Sequence, residues 1–193
     1  MINMQTIKRK FATLLALAPL ASLLSACQAI AMSNQPPIST TQQRFKGIGL
    51  TLVTDAVEGA EMLGVEFFAD TMEFPFFGKS RLVRTNRSIM AFPASNVPEK
   101  VRVTWRDNDK IIGHPKDDSR NTYGGKMLGD YTLPIASRIP DAVLQEIRKN
   151  GGGLRLKFRL KPDGVMFGWD IERFSGGLPR HSMPGGDFLE TWY

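Results

Sequence analysis

Residues 154–173 carry the clearest pattern in the chain. Leu154, Leu156, Phe158 and Leu160 alternate with Arg155, Lys157 and Arg159, the period of a strand with one apolar face. Lys161-Pro162-Asp163-Gly164 reads as a turn, and Val165, Phe167, Trp169 and Ile171 alternate beyond it. Two registers compete. A three-residue loop with a Gly bulge sets Val165 opposite Lys161, and puts Phe167 and Trp169 on the face of Arg159 and Lys157. Setting Val165 opposite Leu160 instead pairs Phe158 with Phe167, Leu156 with Trp169 and Leu154 with Ile171. Arg155 then meets Asp170 on the other face. One residue of slip exchanges the two faces. The second register gathers eight apolar side chains, each worth roughly 1.5–3 kcal/mol when buried, and it is the one predicted.

The period changes just upstream. Ile139-Pro140-Asp141 opens a helix, with proline in the first turn and an acid near the positive end of the dipole. Ala142, Val143, Leu144 and Ile147 form its apolar face, Arg148 and Lys149 lie near its end, and Gly151 stops it. Lys100 to Arg106 is a half-buried strand, with Val101, Val103 and Trp105 on one side and Arg102, Thr104 and Arg106 on the other. Further strands are read at 46–54, 62–70, 79–85 and 131–137, and a loop at 55–60. Residues 107–125 are a polar segment too long for a hairpin turn and read as a loop; loops of this length are often functional. Residues 175–193, punctuated by Gly and Pro, read as a loop that packs Trp192-Tyr193 back on the domain. Together these predict an α+β fold, mainly antiparallel sheet, with one clear helix at about 140–150 leading into a hairpin at about 154–173.

The aromatic cluster Phe74-Pro75-Phe76-Phe77-Gly78 has two readings. A core plug under a loop is the expected one. The other is an exposed patch for a partner, with Phe76 and Phe77 as contacts.

The N-terminus follows different rules. Lys8-Arg9-Lys10 precedes Phe11–Leu24, an apolar run of 14 residues interrupted by Pro19. That is too short to span a bilayer and suits the apolar region of a secretory signal. It ends in Leu24-Ser25-Ala26-Cys27, which resembles the bacterial lipobox. The resemblance implies cleavage after residue 26 and acylation of Cys27, the only cysteine. Two or more acyl chains on one residue make a stable anchor. Inner-membrane lipoproteins often carry Asp after the cysteine; Gln28 implies the outer membrane, facing the periplasm. Residues 28–43 hold no charge, two prolines and many Ser, Thr, Asn and Gln, and read as a flexible tether. The organisation predicted is signal 1–26, lipidated cysteine and tether 27–44, and one globular domain 45–193.

Charge then changes meaning. The chain carries +6, but without Lys8, Arg9 and Lys10 there remain 22 basic and 19 acidic residues, or +3. A charge of that size is ordinary for a soluble domain and gives no reason to expect nucleic acid. An acylated Cys27 is no nucleophile, and one cysteine forms no internal disulfide. His114 stands in a polar segment and His181 in a glycine-rich tail, and no Gly-x-Ser-x-Gly elbow occurs. Two isolated histidines are a thin zinc set, and Asp107, Asp109, Asp117 and Asp118 lack EF-hand spacing. No cofactor or metal is expected, and no catalytic residue. Arg102 and Arg106 on one strand, and Arg155, Lys157 and Arg159 on another, are read as solvated faces, the latter set against Asp170 and Glu172. The alternative is a cationic surface for an acidic protein, phospholipid headgroups or lipopolysaccharide.

The lipobox, the segment VRVTWR at 101–106 and the run SRIPDAVLQEIRKNGGGLRLKFRLKPDGVMFGWDIERF at 137–174 together resemble a family of small proteobacterial lipoproteins. Members of that family are often encoded beside lipase-type toxic effectors of type VI secretion. The resemblance implies a non-enzymatic immunity protein that binds and blocks a membrane-attacking phospholipase. It carries over no inhibitory residue. Arg102, Arg106, Phe76 and Phe77 are the candidate contacts from the sequence itself. Two other classes stay open: an assembly lipoprotein of an envelope complex, and an envelope hydrolase using an acidic pair.

Overall fold

The computed structural model describes residues 40–70, 73–91 and 97–191. Cys27, the signal, most of the tether and Trp192-Tyr193 lie outside the described residues.

The predicted hairpin is there in the predicted register. β9 (Gly153–Lys161) and β10 (Gly164–Ser175) pair Leu160 with Val165, Phe158 with Phe167, Leu156 with Trp169, Leu154 with Ile171 and Arg155 with Asp170. The loop is only Pro162-Asp163, with Lys161 opposite Gly164, and neither Asp163 nor Gly164 has a positive φ. This is not a primed turn of the kind that suits strand twist. Burial of the apolar face therefore sets the register over the preference of the turn. The next connection is of the favoured kind: Gly176 (φ 60°) and Gly177 (φ 79°) turn the chain into β11 (Leu178–Gly186). The tail expected to be a loop is thus largely a strand.

β1 (Gly49–Ala56) runs parallel to β9 and antiparallel to the short β4 (Ser88–Ala91), giving a five-stranded sheet in the order β11-β10-β9-β1-β4. A second sheet is wholly antiparallel. It contains β2 (Glu61–Ala69), β3 (Phe77–Val83), β5 (Lys100–Arg106) and, beyond the polar segment, a strand at Met127–Pro134, here called β8. Their order is β3-β2-β5-β8. The residues between β5 and β8 contradict the loop reading. They form a hairpin, β6 (Ile111–His114) and β7 (Asp117–Tyr123), so polar that only Ile111-Ile112 and Tyr123 hint at it.

The sheets pack face to face. Leu52, Leu154, Leu156 and Phe158 from the first meet Phe67, Val101, Val103 and Trp105 from the second in one core, with Phe67 edge-on to Phe158 at 5.4 Å. Gly129 on β8 leaves space that the Trp105 ring fills, and Gly185 on β11 does the same for Trp169. The helix α2 (Asp141–Asn150) buries Val143, Leu144 and Ile147, and ends at Gly151 (φ 74°), whose N–H returns to the Ile147 carbonyl. A short helix, α1 (Thr40–Phe45), begins inside the stretch read as tether. Phe45 is fully buried, and the Arg44 guanidinium donates to the carbonyls of Ala136 and Ile139 and to Asp141. These bonds hold the entry to α2 in place of a side-chain N-cap.

Candidate functional site

The alternation of β5 puts Val101, Val103 and Trp105 into the core and turns Arg102 and Thr104 outward. On β2, the ladder shifts between Leu63 and Glu66, and Gly64 lies at φ 53°. A side chain at Gly64 would press on the Asn108 carbonyl oxygen at 2.7 Å and the Tyr123 Cβ at 2.9 Å. The irregularity sets Glu66 beside Thr104, and Phe68 beside Arg102, on the outer face of the second sheet.

The β6–β7 hairpin leans over that face. Its base is tied by the Asp107 N–H to the Lys126 carbonyl, the Lys126 N–H to the Asp107 carboxylate and the Gly124 N–H to the Lys110 carbonyl. The Thr122 hydroxyl donates to Glu66 Oε1 at 2.6 Å. Between hairpin and sheet is a cleft of about 360 Å³, with Glu66, Thr104 and Arg106 among its lining and Ile112, His114 and Met127 at its border. Glu66 also lines a smaller adjoining cavity of about 180 Å³, with Pro75, Ile111 and Tyr123.

Charges around the cleft are paired. Arg102 forks onto Asp130 through two hydrogen bonds, at 2.7 and 2.6 Å, and lies over the Phe68 ring. The Arg102 bond holds the Asp130 carboxyl below its usual range, and Asp130 in turn raises Arg102. Lys116 reaches Glu73 at 2.6 Å and lowers its pKa. Arg106 Nη2 is 3.7 Å from Glu66 Oε2, close enough to compensate charge and too far for a hydrogen bond. Burial raises the Tyr123 phenol, aided by Glu66 and Asp109. Two of the lining residues are exposed and apolar, Ile112 and Met127, while Ile111, 60 % exposed, lines the adjoining cavity.

Of the four candidate contacts read from the sequence, Arg102 and Arg106 both line this cleft. Phe76 and Phe77 do not. They pack on Phe67, at ring distances of 6.3 and 5.5 Å, as the core-plug reading expects. The sequence reading missed Glu66, Thr104 and Thr122. The signal available was Glu66 itself, a lone acid between Val65 and Phe67-Phe68 in a strand.

The second basic face corrects the reading of a solvated surface. Arg155 is 1 % exposed, and Lys157 and Asp170 are fully buried. After β11, residues 188–191 cross the outer face of the first sheet as a strap. Arg155 donates to Asp170 through two bonds and to the Thr191 carbonyl. Lys157 donates to the Glu190 carbonyl and meets Asp170 at 3.0 Å. Arg159 forks onto buried Asp55 and also reaches the Glu190 carboxylate, which Arg84 shares. The Phe188 ring covers Lys157 and Arg159, with the Arg159 guanidinium carbon 4.4 Å from its centre. Burial pulls the Lys157 pKa down despite Asp170. Gly168 permits the crossing, since a Cβ there would stand 3.0 Å from the Phe188 carbonyl oxygen. This face is a structural seam with its cations already engaged, so the cleft is the candidate site.

Among the described residues, no group of three or more His, Cys, Asp or Glu side chains is placed to hold a metal ion. His181 bonds Glu172 at 3.2 Å, and His114 packs against Phe74 with the rings tilted. No protein-family model, curated protein or solved structure matches the chain.

Proposed function

We propose that this chain is a lipid-anchored, periplasm-facing binding protein that protects its own cell by blocking a secreted phospholipase. In this reading Cys27 carries the acyl anchor in the outer membrane, the residues after it act as a tether, and the domain grips the toxin without performing chemistry.

One observation carries the binding half of the proposal: the cleft beneath β6–β7. It joins exposed apolar side chains (Ile112, Met127) to a floor of buried polar side chains on the sheet. Binding surfaces are commonly built this way, with apolar contact at the centre and a few directional polar groups that choose the partner. The anchor contributes by geometry. A phospholipase acts at the bilayer, and an inhibitor held there meets it at high effective concentration. The resemblance to immunity lipoproteins supplies the identity of the partner.

The test is growth. The gene beside this one is expressed with a periplasmic signal, alone and together with this chain. The expected result is lysis alone and growth together, with protection falling when Cys27→Ser releases the protein from the membrane. A neighbour that is harmless in the periplasm, or that kills equally in both strains, ends the immunity reading.

A further inference from the structure

Every formal charge bordering the cleft has a counter-charge beside it: Arg102 with Asp130, Lys116 with Glu73, and Arg106 with Glu66. An anion entering would stand against Glu66, and an ammonium against Arg106. Either would leave one charge uncompensated in a half-enclosed site. What the floor holds in surplus is hydrogen-bonding capacity. Among the described residues, Glu66 Oε2 accepts no hydrogen bond, Arg106 Nε donates none and the Thr104 hydroxyl makes none, all three atoms being closed off from solvent. Glu66 is 2 % exposed and Thr104 1 %. Polar atoms buried without partners are costly, and in native proteins they are rare.

One acceptor, one donor and one hydroxyl that can serve as either are together the complement of a carboxamide, which gives N–H and accepts at C=O. We propose that the cleft floor is a receptor for a carboxamide, delivered by an Asn or Gln side chain of the protein partner. The source of the amide rests on the binding reading above; the chemistry of the receptor does not. A main-chain amide has the same groups, but β5 lies between β2 and β8, so no open strand edge exists there for a backbone to join. Entry moves the hairpin outward. The movement breaks the bond from Thr122 to Glu66 and the contacts that hold the hairpin tip, Lys116 with Glu73 and His114 with Phe74.

Three probes of similar size separate the possibilities: propionamide, propionate and propylammonium. Each is titrated into the full chain in detergent micelles, with the amide ¹H–¹⁵N shifts of Thr122, Gly124 and Gly125 as the readout. Propionamide is expected to move these resonances saturably and the two ions to leave them in place. Glu66→Gln removes the negative charge and leaves Arg106 unmatched, so preference passes to propionate. Thr104→Val keeps the shape of the floor and weakens propionamide about tenfold, the loss of one hydrogen bond. It weakens the protein partner by a similar factor. No response to propionamide, or equal responses to all three probes, overturns the receptor. So does a folded Glu66→Gln chain that still prefers propionamide. A Thr104→Val chain that loses propionamide but keeps full affinity for the partner overturns the side-chain source. The probes need no toxin, so a failed titration and a failed growth rescue point to different errors.

Discussion

At the scale of single residues, two kinds of charge pair coexist, and their burial separates their energetic roles. Arg81 and Glu61 touch on the surface with both side chains about half exposed, where a pair is worth little. Arg155, Lys157 and Asp170 are sealed between sheet and strap. Removing one partner there strands charge in a dry site. Asp170→Asn is therefore expected to cost about 3–5 kcal/mol in urea denaturation, and Glu61→Gln less than about 0.5 kcal/mol. Similar losses from the two would contradict the buried seam. Glu190 ties the strap down and responds to pH. Its carboxyl is held below its ordinary value of 4.5, chiefly by the hydrogen bond from Arg159 and against the opposing effect of burial. A carboxyl lowered in the folded state stabilises fully above its unfolded value, and that contribution is lost as pH falls through the folded one. Protection of the amides of residues 188–191, taken relative to the intrinsic exchange rate at each pH, is expected to be greatest at neutral pH and to fall below about pH 4.5. Glu190→Gln should remove that pH dependence, and a strap equally protected at pH 7 and pH 3 would refute it.

At the scale of elements, legibility followed period. The β9–β10 register could be read because eight apolar residues in strict alternation leave one arrangement that turns them all to the core face. The β5 span and the α2 helix were legible for the same reason. The β6–β7 hairpin was not, because it stands off the sheet and contributes little to the core, so its strands carry almost no apolar signal. The strap was hidden differently. Arg155, Lys157 and Arg159 look like a solvated face in any local window, and only Phe188 and Glu190, some thirty residues on, bury them. Arg102 and Arg106 were legible only as an outward strand face with candidate contacts, not as the lining of a cleft, and Glu66 needed the ladder shift beside Gly64, which has no signature beyond the glycine. The packing of Trp105 on β8 gives a prediction at this scale. Gly129→Ala places a methyl group where the indole lies, and Gly129 has no positive φ to add backbone strain. The expected cost is about 1–3 kcal/mol by thermal or chemical denaturation, from overpacking alone. An unchanged stability would mean that the Trp105 ring lies elsewhere.

At the scale of the whole molecule, the two sheets divide the work. The outer face of the first is closed by the chain's own C-terminal strap, and its cations are spent inside the protein. Among the described residues, the outer face of the second is covered only by a hairpin that leaves a cleft. The proposed partner is assigned to the second face on the strength of that difference, and the proposed lipid anchor at Cys27 would bring the cleft to the membrane that a phospholipase attacks. Ile112 on the hairpin and Ile89 on β4 provide a matched pair of exposed apolar residues, the first at the cleft and the second on the other sheet. The direct measurement is binding of the purified product of the neighbouring gene, the proposed toxin, to the intact chain, for Ile112→Asp and Ile89→Asp beside the unaltered protein. A buried charge at the centre of an interface costs about 2 kcal/mol or more, roughly thirtyfold in Kd. The account predicts that loss for Ile112→Asp and an unchanged Kd for Ile89→Asp. Full affinity in Ile112→Asp would contradict it, and a loss confined to Ile89→Asp would place the partner on the other sheet.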